Sequence, residues 1–471
     1  MEKQLRFMLK LSLQQMALRR VVVNLCNETD VLTLIENLRP KWFLHHELEE
    51  VIGPTVEAVK DKVSKLELLE SLKKRMGHLI RPVVLDILDW KTCHEKFLNK
   101  SNEHLDVSIL ELLCWTSAGA IDYQKTAANL ALLEALDIAK RYKLACLYCL
   151  VDYIPILWVK LPEEIKEEYT RGPMVNRDTQ LDYYWAYFLK EKESEIDDVN
   201  SSYLKEISFN HDAFKFSALE GNTAATKYFF QKISKEMKIS FLYRTVHFVI
   251  ANRCRNPIRK TFPDKNVSEV FCYLLDLLRP EHQIQVLKDR PYQVMRCFLD
   301  WPLQDFFLDV TDLIWTCFPQ NKYRHLLLKF TSIIKYPSYY FPDLVQKFFL
   351  RSPSSFKKLF ISESGSFITE FSCAEDSEGL EVIFKNVDLG DRSELVSSDW
   401  FLQFLEDLIT RDKWHLAELC VRETSLSKEN KKNLKRALVR FYPEIGMLCN
   451  RRECKGFFEF LDQTDASELL E

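Results

Sequence analysis

Cysteine spacing gives the first candidate for chemistry. Cys146 and Cys149 are separated by two residues, a spacing found in redox-active and metal-binding thiol pairs. A redox pair needs an exposed helix N-terminus to lower the pKa of a thiol, whereas these two are expected mid-helix among Leu, Ala and Tyr. No second pair or matching histidine pair completes a zinc site. The sequence therefore predicts two buried thiols that pack as small hydrophobic groups.

Other candidate metal ligands form incomplete sets. Cys449 and Cys454 flank a basic turn and are expected to be structural or free thiols. The run His45-His46-Glu47 lacks the second histidine, four residues further on, that a zinc-protease helix requires. The remaining histidines are dispersed, and only the fold could bring them together; they include His78, His94, His247, His325 and His415. We therefore predict no metal ion.

Catalytic sequence motifs are absent. The chain contains no G-x-x-x-x-G-K-[ST], no G-x-G-x-x-G and no G-x-S-x-G. Paired carboxylates such as Glu163-Glu164 and Asp197-Asp198 fall at expected helix starts or in polar loops, where solvated capping is their ordinary role. The sequence predicts no catalytic residue, no cofactor and no enzyme.

Composition narrows the class of fold and of partner. Hydrophobic residues make up 47% of the 471 residues and charged residues 28%, as in folded globular proteins. Only 10 residues are glycine, which disfavours folds that depend on many tight turns. The 65 Lys and Arg residues nearly balance the 69 Asp and Glu residues, giving a net charge of −4. This balance favours neither nucleic acid nor an acidic membrane as a partner.

One basic region leaves an alternative open. The segment 428–440 places four basic side chains on an amphipathic helix, and two arginines follow it. They are Lys431, Lys432, Lys435 and Arg436, then Arg451 and Arg452. Leu434 and Leu438 give the same helix an apolar face, so we favour a solvated helix over weak nucleic-acid binding through 428–452.

Cysteine count and charge placement indicate the compartment. Thirteen cysteines cannot all pair internally, and without a secretory signal they are expected to stay thiols. Charged or polar residues, namely Lys10, Gln14, Gln15, Arg19 and Arg20, interrupt every apolar run of the first thirty residues, which we interpret as an amphipathic helix. The longest nearly uncharged stretch, between Lys143 and Lys160, is too short for a bilayer. We predict a cytoplasmic protein without a membrane span.

Helical periodicity extends over most of the chain. A continuous case is predicted from Thr126 to Val151, with Asp122 as an N-cap. Prolines followed by residues that suit a first helical turn recur at Pro162, Pro280, Pro342 and Pro353. Asp391 with Glu394 resembles a capping box. The predicted fold is all-α.

Residues 213–234 predict a helical hairpin. Gly221 suits the left-handed position that ends one helix, and Asn222 suits the cap of the next. Two similar turns are expected at 411–413 and 300–302. Together they predict an irregular helical-hairpin array after a helical N-terminal region. The predicted divisions are an N-terminal region 1–105, a helical segment 106–190, a polar linker 191–204, the array 205–448 and a C-terminal tail 449–471.

Part of the chain resembles a known repeat. Residues 217–229 are similar to the middle of an ankyrin repeat, in which A-A-x-x-G-[HN] separates two short helices. The segments 115–127, 140–150, 297–307 and 348–358 resemble a poorly characterised, expanded group of helical proteins with ankyrin-like segments. This resemblance implies an ankyrin-like α-solenoid and brings no established activity with it.

These observations favour a non-enzymatic interaction scaffold or adaptor built on stacked helices, with another protein as its partner. An enzyme with dispersed active-site residues is the alternative from another class. Weak nucleic-acid binding is the third hypothesis.

Overall fold

The computed structural model describes residues 11–38, 45–98, 107–170, 180–189, 209–253, 262–315, 317–319, 322, 342–363, 377–386, 398–441 and 452–462. These residues form 24 α-helices, one 3-10 helix and an isolated β-bridge between Trp115 and Ile121, without a strand. The all-α prediction is confirmed. The solenoid arrangement stays a prediction.

The chain divides into two compact units, Met1–Phe307 (unit 1) and Leu308–Glu471 (unit 2). The helices described in unit 1 are α1 Leu13–Cys26, α2 Thr29–Asn37, α3 His45–Ser64, α4 Glu70–Leu98, α5 Val107–Leu110, α6 Tyr123–Leu132, α7 Ile138–Leu147, α8 Ile154–Lys160, α9 Glu163–Thr170, α10 Gln180–Leu189, α11 Phe209–Glu220, α12 Thr223–Lys232, α13 Lys235–Arg253, α14 Asp264–Leu277, α15 Pro280–Asp289 and α16 Pro291–Cys297. A 3-10 helix, Leu303–Phe306, follows. Those of unit 2 are α17 Phe307–Ile314, which begins at the last residue of unit 1, α18 Pro342–Arg351, α19 Ser354–Glu363, α20 Ser377–Lys385, α21 Asp399–Thr410, α22 Trp414–Glu423, α23 Lys428–Phe441 and α24 Arg452–Asp462.

One helical-hairpin array is predicted for residues 205–448. The boundary between the two units, after Phe307, falls inside that range. The predicted linker 191–204 lies outside the described residues, as does the Asp391–Glu394 capping pair. The array and its boundaries stay predictions.

The segment 126–151 is not one helix, and this prediction is wrong. Helix α6 ends at Leu132 and α7 begins at Ile138, because the Asp137 carboxylate accepts a hydrogen bond from the Ala139 amide at 2.9 Å and starts a new helix. The break also resets which side chains face the core. Leu132, which an uninterrupted helix over 126–151 would place on its apolar face, is therefore exposed.

The hairpin predicted at 213–234 is confirmed. Helices α11 and α12 pack against each other, joined by Gly221 with a positive φ of 85°. A Cβ atom at Gly221 would lie 3.0 Å from the Val267 backbone nitrogen, so only glycine fits both the conformation and the space. The Asn222 side chain accepts from the Ala225 amide at 3.0 Å, as its capping role requires.

The turn predicted at 411–413 and the proline helix starts are confirmed, whereas the chain at 300–302 continues into a 3-10 helix and not directly into a second α-helix. Residues 411–413 separate α21 from α22, and residues 300–302 lead from α16 toward the 3-10 helix. Pro280 and Pro342 are first residues of helices, while Pro162 and Pro353 immediately precede them. Proline loses no hydrogen bond at these positions, so it marks helix starts reliably.

The longest helix organises the N-terminal part of unit 1. Helices α1 and α3 pack on α4, whose Ile80, Val83, Val84 and Ile87 are fully buried. These positions follow the i, i+3, i+4, i+7 spacing of a single helical face. The same helix carries three buried polar residues, Asp86, Lys91 and His94, and Asp86 and His94 support the cavity described next.

Candidate functional site

A cavity of about 480 Å³ lies in unit 1. Its walls come from five parts of the chain: residues 116–124, Tyr148, the start of α12 at 221–227, the segment 262–269, and Pro302 with Leu303. The residues around it are Thr116, Ser117, Ala118, Ala120, Ile121, Asp122, Tyr123, Gln124, Tyr148, Gly221, Asn222, Thr223, Ala224, Lys227, Phe262, Asn266, Glu269, Pro302 and Leu303. The fold thus brings together turns that are distant in sequence.

Arg19 of α1 holds the loop at residues 116–120. Its guanidinium donates to the Ala118 carbonyl at 2.9 Å and pairs with Asp305 at 2.9 Å. It also lies 4.7 Å from the centre of the Trp301 ring, a cation–π contact. Because Arg19 is buried, these contacts fix one wall of the cavity against both α1 and the 300–305 turn.

A buried ion pair joins α4 to α14 behind the cavity. The Lys265 ammonium pairs with Asp86, whose second carboxylate oxygen accepts from the Ile121 amide at 3.0 Å. Burial acts to lower the pKa of Lys265, but the attraction of Asp86 and Asp89 keeps that pKa above its ordinary value. Lys265 also lies 5.6 Å from the Tyr123 ring centre. The pair therefore positions the loop and the aromatic wall together.

His94 of α4 supports Tyr148 in another wall of the cavity. Its Nε2 atom is 2.7 Å from the Tyr148 hydroxyl, and its Nδ1 atom is 2.7 Å from the Trp90 carbonyl oxygen. Nδ1 must donate to the carbonyl, so Nε2 accepts from the hydroxyl. Burial lowers the pKa of His94 to about 4, which keeps the imidazole neutral near pH 7.

Two capped helix N-termini line the cavity. Asp122 caps α6 by accepting from the Lys125 amide at 2.9 Å, and Asn222 caps α12 through the Ala225 amide. The first four amides of a helix have no partner within the helix, and each cap satisfies one of them. The amides of residues 123, 124, 223 and 224 have no acceptor in the described part of the chain. These donors lie at the positive ends of helix dipoles.

Three residues around the cavity carry buried polar atoms that lack a hydrogen-bond partner among the described residues. They are the Tyr123 hydroxyl, the Thr223 hydroxyl and the Asn266 carboxamide oxygen. Buried polar atoms are normally hydrogen-bonded, so each unpaired one requires an explanation. A bound ligand that forms those hydrogen bonds would supply it.

Two ionisable side chains complete the cavity wall. Lys227 is exposed, and its ammonium lies 5.4 Å from the Tyr273 ring centre. Burial, the largest influence, raises the pKa of Glu269 to about 7, while the positive charges of Lys265 and Lys227 act to lower it. Glu269 therefore changes protonation near neutral pH.

The thiol pair of the sequence lies elsewhere in unit 1. Cys146 is near the end of α7, and Cys149 follows the helix with a positive φ of 50°, so its expected mid-helix position is wrong. Both side chains are buried, and burial raises the pKa of each thiol. A raised pKa is the opposite of what a reactive thiol requires. Packing is the role these contacts support.

Among the histidines that the structure describes, none lines the cavity. His94 acts behind it, His247 lies 3.8 Å from Asp289, His415 is exposed on α22, and His78 is half-buried on α4. Helix α3 begins with His45, His46 and Glu47, and helix α24 contains Cys454, but the structure does not describe these four side chains. The described residues also do not include His325, Cys449 and Asp197-Asp198. The Glu163 carboxylate accepts from Lys166 at 2.7 Å, and Glu164 occupies the first turn of α9.

The basic cluster of α23 is partly used in packing within unit 2. Lys431 is buried, with its ammonium 5.5 Å from the Phe460 ring centre, and Lys435 pairs with Asp462. Lys432 and Arg436 are exposed, whereas Arg451 lies outside the described residues. The predicted apolar face is present, since Leu434 and Leu438 are fully buried.

Sequence reasoning identified only part of the cavity wall. Asp122, Gly221 and Asn222 were recognisable as caps and turns, but Tyr123, Asn266 and Glu269 carry no local signal. Among the described residues, no cluster of three or more His, Cys, Asp or Glu side chains could hold a metal ion. In the same residues, every helix is too short or too polar to cross a membrane.

No family model and no curated protein matches this chain.

Proposed function

We propose that the protein is a non-enzymatic interaction module of the cytoplasm, and that the cavity of unit 1 holds a short peptide segment of a partner protein. One observation carries the proposal: helix starts and turns that lie as far apart in sequence as Thr116 and Leu303 form the walls of one cavity with unpaired polar atoms. Ser117, Gln124 and Lys227 are exposed, so a segment of another chain can reach it from solvent.

The chemistry of the walls suits a peptide. A peptide backbone presents donors and acceptors in alternation. The cavity offers free amides at the start of α6 and α12, two hydroxyls that can donate or accept, and the carboxamide of Asn266. The Tyr123, Tyr148 and Phe262 rings, with centres 5.9 to 6.0 Å apart in two pairs, add apolar surface for a side chain.

The experiment that tests this proposal selects displayed peptides on the full-length protein and measures their affinity for two variants. Ala224→Arg places a long side chain in the cavity wall. Ala17→Arg makes the same change at an exposed position of α1. We expect Ala224→Arg to weaken the selected peptides by about tenfold or more, because it occupies their site, and Ala17→Arg to leave them unchanged.

Peptides that bind both variants equally well would show that they dock elsewhere, and the proposal would then be wrong. Circular dichroism of both variants checks that each retains its helices. Co-crystallisation of a selected peptide then gives its contacts with Tyr123, Thr223 and Asn266 directly.

One observation favours the second candidate, an enzyme. Glu269, with a pKa of about 7, lies beside a cavity, and a carboxyl group that titrates near neutral pH is suited to general acid–base catalysis. A thermal-stabilisation screen with metabolites and nucleotides separates the two candidates. A single metabolite that raises the melting temperature and is converted only when Glu269 is intact would favour the enzyme.

A further inference from the structure

The first turn of α12 is the part of the cavity best equipped to bind an anion. The amides of Thr223 and Ala224 have no acceptor among the described residues, and the Thr223 hydroxyl is buried without a partner. Lys227 lies four residues after Thr223, so both side chains project from the same face of the helix. Two amides, a hydroxyl and an ammonium thus belong to one helical turn at the positive end of its dipole.

A second observation, independent of the helix dipole, also points to a ligand. Asn266 of α14 is only 4% exposed, lines the same cavity, and has an unpaired carboxamide oxygen. Rotation about its last bond lets this group present its amide hydrogens instead. The Tyr123 hydroxyl, at the start of α6, is a further unpaired donor. Donors from three separate helices therefore line one cavity.

We propose that this subsite, formed by Thr223, Ala224, Lys227 and Asn266, binds the carboxylate of an Asp or Glu side chain in the bound peptide. The proposal rests on the proposed function and adds the chemical class of the ligand. Two parallel amides can each bond one oxygen of a carboxylate, and the ammonium supplies the opposite charge.

Charge favours a carboxylate over a phosphate. Lys227 is the single cation among the described residues that line the cavity, and Asp122 and Glu269 line it too. A carboxylate carries one negative charge, whereas a phosphate monoester carries about −1.5 to −2 near pH 7. The extra charge would be opposed by Asp122 and by the ionised form of Glu269.

Glu269 also makes the subsite sensitive to pH. The charged groups that influence Glu269 are Lys265 on its own helix, Asp86 of α4, Lys227 of α12 and Asp122 at the cap of α6. A bound carboxylate repels ionised Glu269 and so favours its neutral form. We expect binding of acidic peptides to strengthen as the pH falls from about 8 to about 6, through the range in which Glu269 takes up its proton.

The test uses the full-length protein and three fluorescent pools of octapeptides, each acetylated and amidated at its ends. One position is fixed as Glu, Gln or phosphoserine, and acidic residues are left out of the randomised positions. Fluorescence polarisation measures the apparent affinity of each pool. We expect the Glu pool to bind about tenfold more tightly than the Gln pool, as a charge-assisted hydrogen-bonded contact requires.

Two matched variants test whether Lys227 is responsible. Lys227→Gln removes the ammonium from the subsite, whereas Lys232→Gln removes one from the last turn of the same helix, where it lies 5.5 Å from the Tyr228 ring centre. We expect only Lys227→Gln to abolish the preference for Glu over Gln. Glu269→Gln should remove the pH dependence of the Glu pool and keep its preference.

The outcomes separate the two proposals. Equal binding of the Glu and Gln pools, both lost in Ala224→Arg, would overturn the carboxylate subsite and leave the peptide cavity standing. A Glu preference that survives Lys227→Gln, or tighter binding of the phosphoserine pool, would also overturn the carboxylate assignment. Binding of all pools that Ala224→Arg leaves unchanged would overturn the proposed function itself.

Discussion

The two units place their described ion pairs at different depths. Unit 1 encloses charged pairs whose partners are far apart in sequence. Its two most buried pairs are Asp86–Lys265 and Arg253–Asp300. The side chain of Asp86 is 0% exposed and that of Lys265 7%, while Arg253 is 4% exposed and Asp300 17%. In unit 2 the ion pair between Arg351 and Asp312 is 44% and 48% exposed. Aromatic contacts fill its described core, such as those that Phe384 makes with Phe401 and Phe404.

This difference shows how the cavity is held together. Hydrophobic burial is non-directional, whereas a buried ion pair with hydrogen bonds fixes which residues meet. In unit 1 these pairs join α4 to α14 and link the 300–305 turn to α1 and α13, and the Ser268 hydroxyl of α14 donates to Asp300 of the same turn. Of these elements, α14 and the 300–305 turn contribute residues to the cavity wall. We infer that these polar contacts of unit 1 determine where the turns lie.

Among the substitutions that test this comparison, the one at Lys265 is expected to reduce the free energy of unfolding the most. Lys265→Met leaves Asp86 buried without its partner, which costs about 3–5 kcal/mol of unfolding free energy. Hydrogen exchange of α4 in the full-length protein measures the loss, and exchange of α22 in unit 2 is the internal reference. Equal loosening of both helices would contradict a local role for the pair.

The next largest effect is a pH dependence caused by His94. Its pKa is about 4 in the folded chain and about 6.5 in an unfolded one, so below pH 6.5 the unfolded state takes up a proton that the folded state does not. Stability is fully present above pH 6.5 and falls by about 3 kcal/mol as the pH is lowered to about 4.

Urea unfolding of unit 1, followed by pulsed hydrogen exchange of α4, measures this profile. His94→Gln should flatten it, because the titrating group is removed. His415→Gln, an exposed change on α22, should leave it unaltered. Parallel profiles for the wild type and His94→Gln would assign the pH dependence to other groups.

A smaller loss of stability is expected when Asn222 of unit 1 is substituted. Asn222→Ala removes the cap of α12 and the hydrogen bond from the Asn222 side chain to the Leu147 carbonyl, for a loss of about 1–2 kcal/mol. Asn222→Ser keeps the cap and should recover about half of that loss.

Hydrogen exchange of α11 and α12 measures both Asn222 variants. Asn433→Ala, at an exposed position of α23 in unit 2, is the matched control and should change stability by about 0.5 kcal/mol or less. If Asn222→Ser behaves like Asn222→Ala, the contact with Leu147 dominates over the cap.

The smallest effect is expected at the exposed pair of unit 2. Arg351→Met should cost about 0–1 kcal/mol, and added salt should remove most of it, because solvent screens both charges. Hydrogen exchange of α18 at low and high salt tests this. A loss as large as that of Lys265→Met would remove the contrast between the units.

The sequence correctly predicted those features that depend on a few adjacent residues. The helix starts at Pro280 and Pro342, the cap at Asn222 and the left-handed Gly221 each depend on a few neighbouring residues, and the structure confirms them. The prediction failed at 126–151, where hydrophobic periodicity alone did not reveal that Asp137 begins a new helix. The same limit explains the wrong position of Cys149.

The cavity was not predictable because its walls depend on long-range contacts. Asp86 and Lys265 are 179 residues apart, and nothing in either neighbourhood indicates that they pair. Asn266 and Glu269 look like ordinary polar positions of an amphipathic helix. Only the packed structure shows that one is buried with an unpaired group and that the pKa of the other is raised.

The sequence by itself determined the all-helical class and the positions of individual caps and turns, because backbone conformation and capping are set by adjacent residues. The tertiary structure alone decided which turns meet, which charges are buried together and which polar groups are left for a ligand. Those outcomes depend on close packing between distant segments. The free energy of a charged group changes far more when the group is buried than when the residues next to it in the sequence change.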